Sequence, residues 1–376
     1  METLFSQQPF RPRKLDRTLA PEIRRHSGIP GIEILPSGRL FAVWYSGPEP
    51  REGAGNYVIL STSTDGGIHW REIQAVVPEP GMRAFDSVLW LAPDGRLHWF
   101  WTQSLSSETL GIYDGRCGVW CAECDAPDTD TPEWSEPHRL ADGVMMNKPY
   151  LLRDGGRLLP VALWGFQPEK VPPELRSIAR PNLLLSRDNG KNFRLLPGPE
   201  SDPNGRTYDE HCIVERSDGS WWMLIRTRFG IGESVSRDGG MHWSRVKESG
   251  LGGADSRFTI RRLQSGRLLL IHHRTFHRLP GEPGNPARRE RLTAHLSDDD
   301  GRSWYGGLML DERGGVSYPD FTQASDGTIF AVYDRERTTA GEILMARFTE
   351  ADVAAGRSIT PGNAFRMTIS AFPERS

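Results

Sequence analysis

An all-β fold of six repeated blades is predicted by three observations on the 376-residue sequence. A tight turn followed by an apolar strand recurs six times, a Ser-x-Asp-x-Gly turn is interleaved with it, and 40 Gly and 28 Pro leave little room for long helices. The turn-and-strand segments are LPSGRLFAVWY around Gly38, APDGRLHWFW around Gly95, RDGGRLLPVALW around Gly155, RSDGSWWMLI around Gly219, LQSGRLLLIHH around Gly266 and ASDGTIFAVYD around Gly327. Their glycines are 57, 60, 64, 47 and 61 residues apart. In each, glycine supplies the positive φ of a tight hairpin, and the Val, Ile, Leu and aromatic residues beside it suit strands. A four-stranded blade with its loops takes roughly 45 to 60 residues, and radial repetition leaves only short, protected strand edges. The spacing therefore predicts a six-bladed β-propeller of four-stranded antiparallel blades, a single domain over residues 1–376.

Charge and composition narrow the partners. With 46 Lys+Arg against 49 Asp+Glu, a formal net charge of −3, nothing global draws the chain to nucleic acid or to an acidic membrane. The 37% hydrophobic content, with 12 Trp, is ample for a core and excludes intrinsic disorder. No run nears the ~18 apolar residues of a membrane span. The opening METLFSQQPFRPRKLDR has no apolar segment of signal-peptide length, so the expectation is a cytoplasmic protein without a membrane partner.

Four cysteines do not make a disulfide scaffold and are read as free thiols. Cys117, Cys121 and Cys124 offer at most three zinc ligands. Strand alternation puts Cys121 on the face of Cys117 and Cys124 on the other, and no metal is expected. The neighbours His211 and Cys212 face opposite ways on a strand, which argues against a thiol nucleophile. The Trp-rich hairpins LHWFW and SWWML are read as packing between blades.

The interleaved motif occurs as STDGGIHW from Ser63, SRDNGKNF from Ser186, SRDGGMHW from Ser236 and SDDDGRSW from Ser297. It reads as a hairpin whose Asp accepts from nearby backbone N–H groups, whose Gly takes positive φ, and whose aromatic packs on the blade. This pattern is similar to the Asp-box (BNR) repeat of the sialidase superfamily, and with the six hairpins the resemblance covers nearly the whole chain. The second blade keeps a remnant, DTPEWSEP near Trp134, and the sixth has none. Asp65, Asp188, Asp238 and Asp299 are expected to fold hairpins rather than to do chemistry.

The resemblance implies an exo-acting, retaining glycoside hydrolase that releases a terminal sialic acid or related acidic sugar. Such chemistry needs arginines for the sugar carboxylate, an activated Tyr as nucleophile and an acid for the leaving oxygen. Glu210 opens EHCIVERSDGSWWMLIR, which resembles the family's E-x-x-V-V-E-L-x-D-G-x-L-L-L-N-x-R; the likeness makes Glu210 the base that activates Tyr and Arg226 a carboxylate ligand. Tyr318 begins YPDFTQASDGTI, similar to the segment that carries the family's nucleophile, although Pro319 and Asp320 depart from its small polar residues. RERLTAHLSDDDG resembles R-x-N-L-T-x-x-L-S and implies a second carboxylate arginine at Arg289, with Arg291 as a competitor.

Where the family carries R-I-P, this chain has Gly28-Ile29-Pro30, so the first arginine is missing; Arg24, Arg25 and His26 are the nearby candidates to reach its space. The family's acid precedes its first Asp box, and the resemblance implies Glu52 for that place, in the loop PEPREGAGN, with Glu49 as a rival; a glutamate serves there if its pKa is raised by partial burial. Arg83, Asp86, Lys148 and Arg257 lie at strand ends where side chains reach a propeller's pocket, and are expected to contact substrate. No organic cofactor is implied, and the expected partner is a glycan or oligosaccharide. Gly28 also keeps open an enzyme acting on uronate- or rhamnose-containing oligosaccharides, as hydrolase or lyase. A non-catalytic carbohydrate-binding propeller is the reading from another class.

Overall fold

The computed structural model describes residues 8–105, 117–165, 167–274 and 288–373. It is a six-bladed β-propeller of four-stranded antiparallel blades, as the hairpin spacing predicts. Blade 1 comprises His26–Ile34, Leu40–Gly47, Tyr57–Ser63 and Arg71–Val76; blade 2, Met82–Leu91, Leu97–Leu105, Gly118–Cys124 and His138–Asp142. In blade 3, Tyr150–Leu151, Arg157–Ala162, Pro181–Ser186 and Arg194–Leu196 follow one another. Blade 4 is Arg206–Glu215, Trp221–Thr227, Gly230–Ser236 and Lys247–Glu248. Blade 5 is Thr259–Arg262, Leu268–His273, Leu292–Ser297 and Tyr305–Asp311, and blade 6 is Val316–Gln323, Ile329–Arg335, Glu342–Phe348 and Ala364–Ser370. No helix among the described residues is long and apolar enough to cross a membrane.

Antiparallel order sorts each blade into two ends. The six predicted hairpins join first and second strands, with their glycines at φ between 81° and 89°. The four Asp boxes join third and fourth strands and so lie at the same end. In the first box Asp65 Oδ1 accepts from the backbone N–H groups of Ile68 (3.1 Å) and His69 (3.0 Å), and Ser63 Oγ accepts from Gly67 N (3.1 Å). Asp238 repeats this with Met241 and His242. These carboxylates serve turns, as their sequence context predicts. The loops between second and third strands emerge at the opposite end.

The chain divides into two compact units. One holds Met1–Met145, Tyr318–Arg347 and Ala364–Ser376, and therefore blades 1, 2 and 6; the other holds Met146–Ser317 and Phe348–Asn363, with blades 3, 4 and 5.

In the first unit, Ile32, Leu40, Ala42, Trp44 and Ile59 of blade 1 pack with Phe330, Val332, Ile343 and Met345 of blade 6. Buried carboxylates join the same blades. The register of blade 1 shifts between Gly28 and Gly31, where the Ile29 N–H donates to Asp334 (2.7 Å), and the Ile32 N–H just beyond donates to Asp320 (3.0 Å). Asp320, the departure beside Tyr318, thus has a structural partner. Glu33 accepts from Thr322 Oγ1 of blade 6 and Leu91 N of blade 2. An unpredicted fifth strand, Pro12–Lys14, pairs with Gln74–Val76 on blade 1.

In the second unit, strand alternation sends Trp221 toward Leu158, Leu183 and Leu185 of blade 3, and Trp222 toward Ile260, Leu268 and Leu270 of blade 5. SWWML is thus inter-blade packing. A helix, Glu350–Ala355, stands where blade 6 lacks an Asp box; Thr349 and Asp352 cap it reciprocally, and Gly356 ends it at φ 67°. It packs on Tyr305–Asp311 of blade 5.

Candidate functional site

The candidate residues form two clusters, one in each unit, and in each blade they lie at the end opposite the hairpin that joins its first and second strands. Four first strands share one local device there. Ile29, Asp86, Asp209 and Tyr318 all have left-handed backbone, with φ of 56°, 47°, 49° and 54°. Register shifts accompany the first three, between Gly28 and Gly31, Phe85 and Val88, and Arg206 and His211. A bulge re-aims a side chain, and such conformations cost about 1–3 kcal/mol each, so surrounding contacts must hold them.

In the first unit the cluster centres on Arg337, a residue that no motif singled out. Its guanidinium lies 4.1 Å over the Tyr318 ring, its Nε donates to Asp334 Oδ2 at 3.0 Å, and its Nη1 is 3.5 Å from Glu52 Oε1. Arg83 approaches the other oxygen of the same carboxylate, Nη1 to Glu52 Oε2 at 3.9 Å, with its guanidinium 3.5 Å over Phe85. Phe85 meets Tyr45 edge-on, and Tyr45 stacks on His26, so a chain of rings extends from beneath Arg83.

Burial opposes ionisation of Glu52, yet Arg83 and Arg337 outweigh it and hold the carboxyl below its ordinary value. This corrects the expectation of a raised pKa: the loop places the acid between two cations. Burial likewise opposes the charge on Arg337, but Asp334, Tyr318, Tyr45 and Glu52 hold it firmly protonated. Burial pushes His26 down to about 4, keeping it neutral at physiological pH. Asp86 adds negative charge near Tyr45, which burial and Glu52 also push upward.

The loop that carries Glu52 is tied at its base. Asn56 Oδ1 accepts from Gly53 N at 2.6 Å, and backbone bonds join Gly55 and Ala84 N–H to the carbonyls of Met82 and Asn56. Glu49, the rival acid, is exposed on the same loop. Neither Arg24 nor Arg25 replaces the missing arginine: Arg24 is buried against Glu72 and the Leu19 carbonyl, and Arg25 binds the carbonyls of Glu22 and Arg24.

In the second unit Arg226 Nη1 donates to Glu210 Oε1 at 2.8 Å and its Nε to Asp255 Oδ1 at 2.5 Å, with Tyr208 4.6 Å beneath the guanidinium. Arg289 Nη2 donates to the Asp255 carbonyl at 3.1 Å, so both arginines bind one residue. Arg291 is exposed with left-handed backbone, and its carbonyl accepts from Thr293 and Arg274. Arg257 is buried and donates to the Met146 carbonyl at 2.6 Å. Lys148 is buried beside Asn147, whose side chain donates to the His211 carbonyl at 2.9 Å. Asp209 pairs with Arg206, although burial drives its pKa up. His211 meets the Asp209 and Asn182 carbonyls while Cys212 points toward the Phe258 carbonyl, the opposite facing that alternation predicts.

Away from both clusters, His98, Cys121 and Glu123 bring three potential metal ligands within 4.8 Å among the described residues. Arg96 already holds Glu123, and burial drives the Cys121 thiol pKa well upward. Cys121 therefore groups with His98 and Glu123 rather than with Cys117 and Cys124.

Arg337, Asp334, Asp255 and Tyr208 were not legible as site residues. Arg337 stands ten residues past Gly327, whereas the matched Arg226 stands seven past Gly219, and only folding reveals where DRER turns.

The BNR repeat-like domain family matches residues 25–331. No curated protein sequence matches the chain. Among solved structures, a Hadza microbial sialidase superposes with a TM-score of 0.66 at 16% identity, over 87% of this chain and 66% of the other. The chain thus spans slightly less than two thirds of that relative. The NanB sialidase from Streptococcus pneumoniae gives a TM-score of 0.63 at 12% identity, covering 88% and 70%. The Penicillium chrysogenum alpha-L-arabinanase, solved with arabinobiose, gives 0.57 at 14% identity, covering 88% and 98%. At these identities the likeness is one of fold.

Proposed function

Since the chain belongs to the BNR repeat-like domain family, we propose that it is a glycoside hydrolase acting exo on a glycan that ends in sialic acid or a related acidic sugar. Tyr318 serves as nucleophile with Glu210 as its activating base, Glu52 protonates the leaving oxygen, and anomeric configuration is retained. Arg226 and Arg289 bind the acidic group, with Arg83, Asp86, Arg257 and Lys148 in supporting contacts.

One observation carries the reading: Arg337 lies over the Tyr318 ring and beside the Glu52 carboxylate. The proposed nucleophile and acid therefore share one cation within a single unit, although 266 residues separate them in sequence. A buried Tyr with left-handed backbone beneath an arginine is costly as mere packing, and a role in chemistry accounts for it.

The test is incubation with fluorogenic glycosides of sialic acids, related keto-deoxy sugars and uronates, with the configuration of the released sugar followed by NMR. Release of an acidic sugar with retention supports the proposal. Turnover of uronates alone favours the oligosaccharide hydrolase or lyase reading, for which Gly28 in place of arginine is the supporting feature. Tight binding without release of any sugar favours a carbohydrate-binding propeller.

A further inference from the structure

We infer that Arg337, with Arg83, supplies a carboxylate contact beyond the two arginines already assigned to the acidic group, and that Glu52 is the built-in counterion which the substrate's acidic group displaces there. The inference rests on the proposed action on acidic sugars and deepens it.

Three features single out Arg337. First, the space beside Gly28 belongs to it: a Cβ on Gly28 would lie 2.7–2.9 Å from its Cδ, Nε and Cγ. Glycine at 28 is thus a condition for this arginine's position. Second, the Nε edge is clamped by Asp334, which is itself buried and bonded to Ile29 N, so the guanidinium is held in one orientation over Tyr318. Third, the side chains of Arg337 and Arg83 are 17% and 11% exposed, whereas that of Glu52 is 43% exposed. The anion is the most exposed of the three groups.

The distances agree. Charge-assisted N–H···O contacts settle near 2.7–2.9 Å. Glu52 stands 3.5 Å from Arg337 and 3.9 Å from Arg83, close enough to neutralise them yet longer than such contacts. A sugar carboxylate with freedom to approach both forks gains stronger bonds, and Glu52 swings out with its loop tip. The sugar is then fixed above Tyr318. Once displaced, Glu52 loses the two cations that hold its proton affinity down and becomes a better acid for the leaving oxygen.

Calorimetry on the full chain with free glucuronate and free N-acetylneuraminate, each beside its methyl ester, tests this. At least one free acid should bind more tightly than its ester, and Arg337→Met should weaken it by roughly 10- to 100-fold while leaving the ester unchanged. Gly28→Ala, which keeps every charge but evicts Arg337, should do the same in a protein that still melts cooperatively. Glu52→Gln should move the other way and tighten acid binding, since the competing anion is gone. Equal affinity for acid and ester, no binding of either acid, full affinity in Arg337→Met, or weaker acid binding in Glu52→Gln would each overturn the inference. The outcomes separate from those of the proposed function. Acid-selective binding lost in Arg337→Met, without hydrolysis of any glycoside, removes the enzyme and keeps the receptor; hydrolysis of acidic glycosides unaffected by Arg337→Met does the reverse.

Discussion

Arg337 occupies the volume that any side chain at position 28 would need, its Cδ only 2.7 Å from where a Cβ on Gly28 would lie. The two residues are 309 positions apart, and the cation of this corner comes from the loop after the second strand of blade 6 rather than from the first strand of blade 1. That loop thereby governs both the charge above Tyr318 and the environment of Glu52.

Tyr318→Phe removes the hydroxyl and keeps the ring beneath Arg337. Turnover should fall roughly 10³-fold or more with substrate affinity largely intact. A fluorinated sugar that slows breakdown of the intermediate should leave its mass on the Tyr318 peptide of the wild type and not of the variant. Near-normal turnover in Tyr318→Phe would remove the nucleophile from the mechanism.

Glu52 should reveal itself in pH profiles. Arg83 and Arg337 hold its carboxyl low in the free protein, and an acid works only while protonated, so kcat/KM should decline above a low pKa. In the complex the substrate's carboxylate occupies the arginines, and the descending limb of kcat should lie at higher pH. Glu52→Gln should flatten that limb and lower kcat by roughly 10²- to 10⁴-fold. Coincident limbs for the two parameters would contradict the displacement of Glu52.

Buried histidines predict a loss of stability in mild acid. Burial, aided by His295, His273 and Arg274, lowers His272 to about 3; burial and Arg274 lower His295 to about 4. A depressed histidine pKa means the unfolded chain binds more protons below about 6.5, so stability is complete above that pH and falls as pH drops toward 4. His26, at about 4, and His211 act in the same sense. For His272 alone the loss at pH 5 is about 2 kcal/mol. The Asp-box carboxylates, with Asp188 and Asp299 at about 2, act only at lower pH. Urea midpoints between pH 7.5 and 4.5 should therefore decline, and less steeply in His272→Asn; a flat profile in the wild type would contradict the burial argument.

Asp238→Ala deletes the acceptor of the Ser236 hydroxyl and of two backbone N–H groups in the third Asp box. The melting temperature should drop while kcat, measured well below the transition, stays at the wild-type value, because the box lies at the far end of its blade from Arg226. A selective loss of kcat would give the box a part in chemistry.

Local turn chemistry is written in contiguous residues, which is why Gly38 to Gly327 announced six blades and Asp65, Asp188, Asp238 and Asp299 announced their hairpins without any tertiary information. Antiparallel order then fixed which end of each blade carries Glu52, Glu210, Arg226 and Tyr318. The left-handed backbone at Ile29, Asp86, Asp209 and Tyr318 left no signature, because it is settled by tertiary contacts such as the bond from Ile29 N to Asp334 rather than by the local sequence. Pro12–Lys14 carries no strand pattern and becomes one by borrowing the open edge of blade 1. Arg24 was near Gly28 in sequence yet folds onto Glu72, while Arg337 comes from the other end of the chain to lie against Gly28. Proximity in sequence determines which turn forms; which charge fills a given corner is decided by the packing of blade 6 on blade 1, and only the folded chain contains that packing.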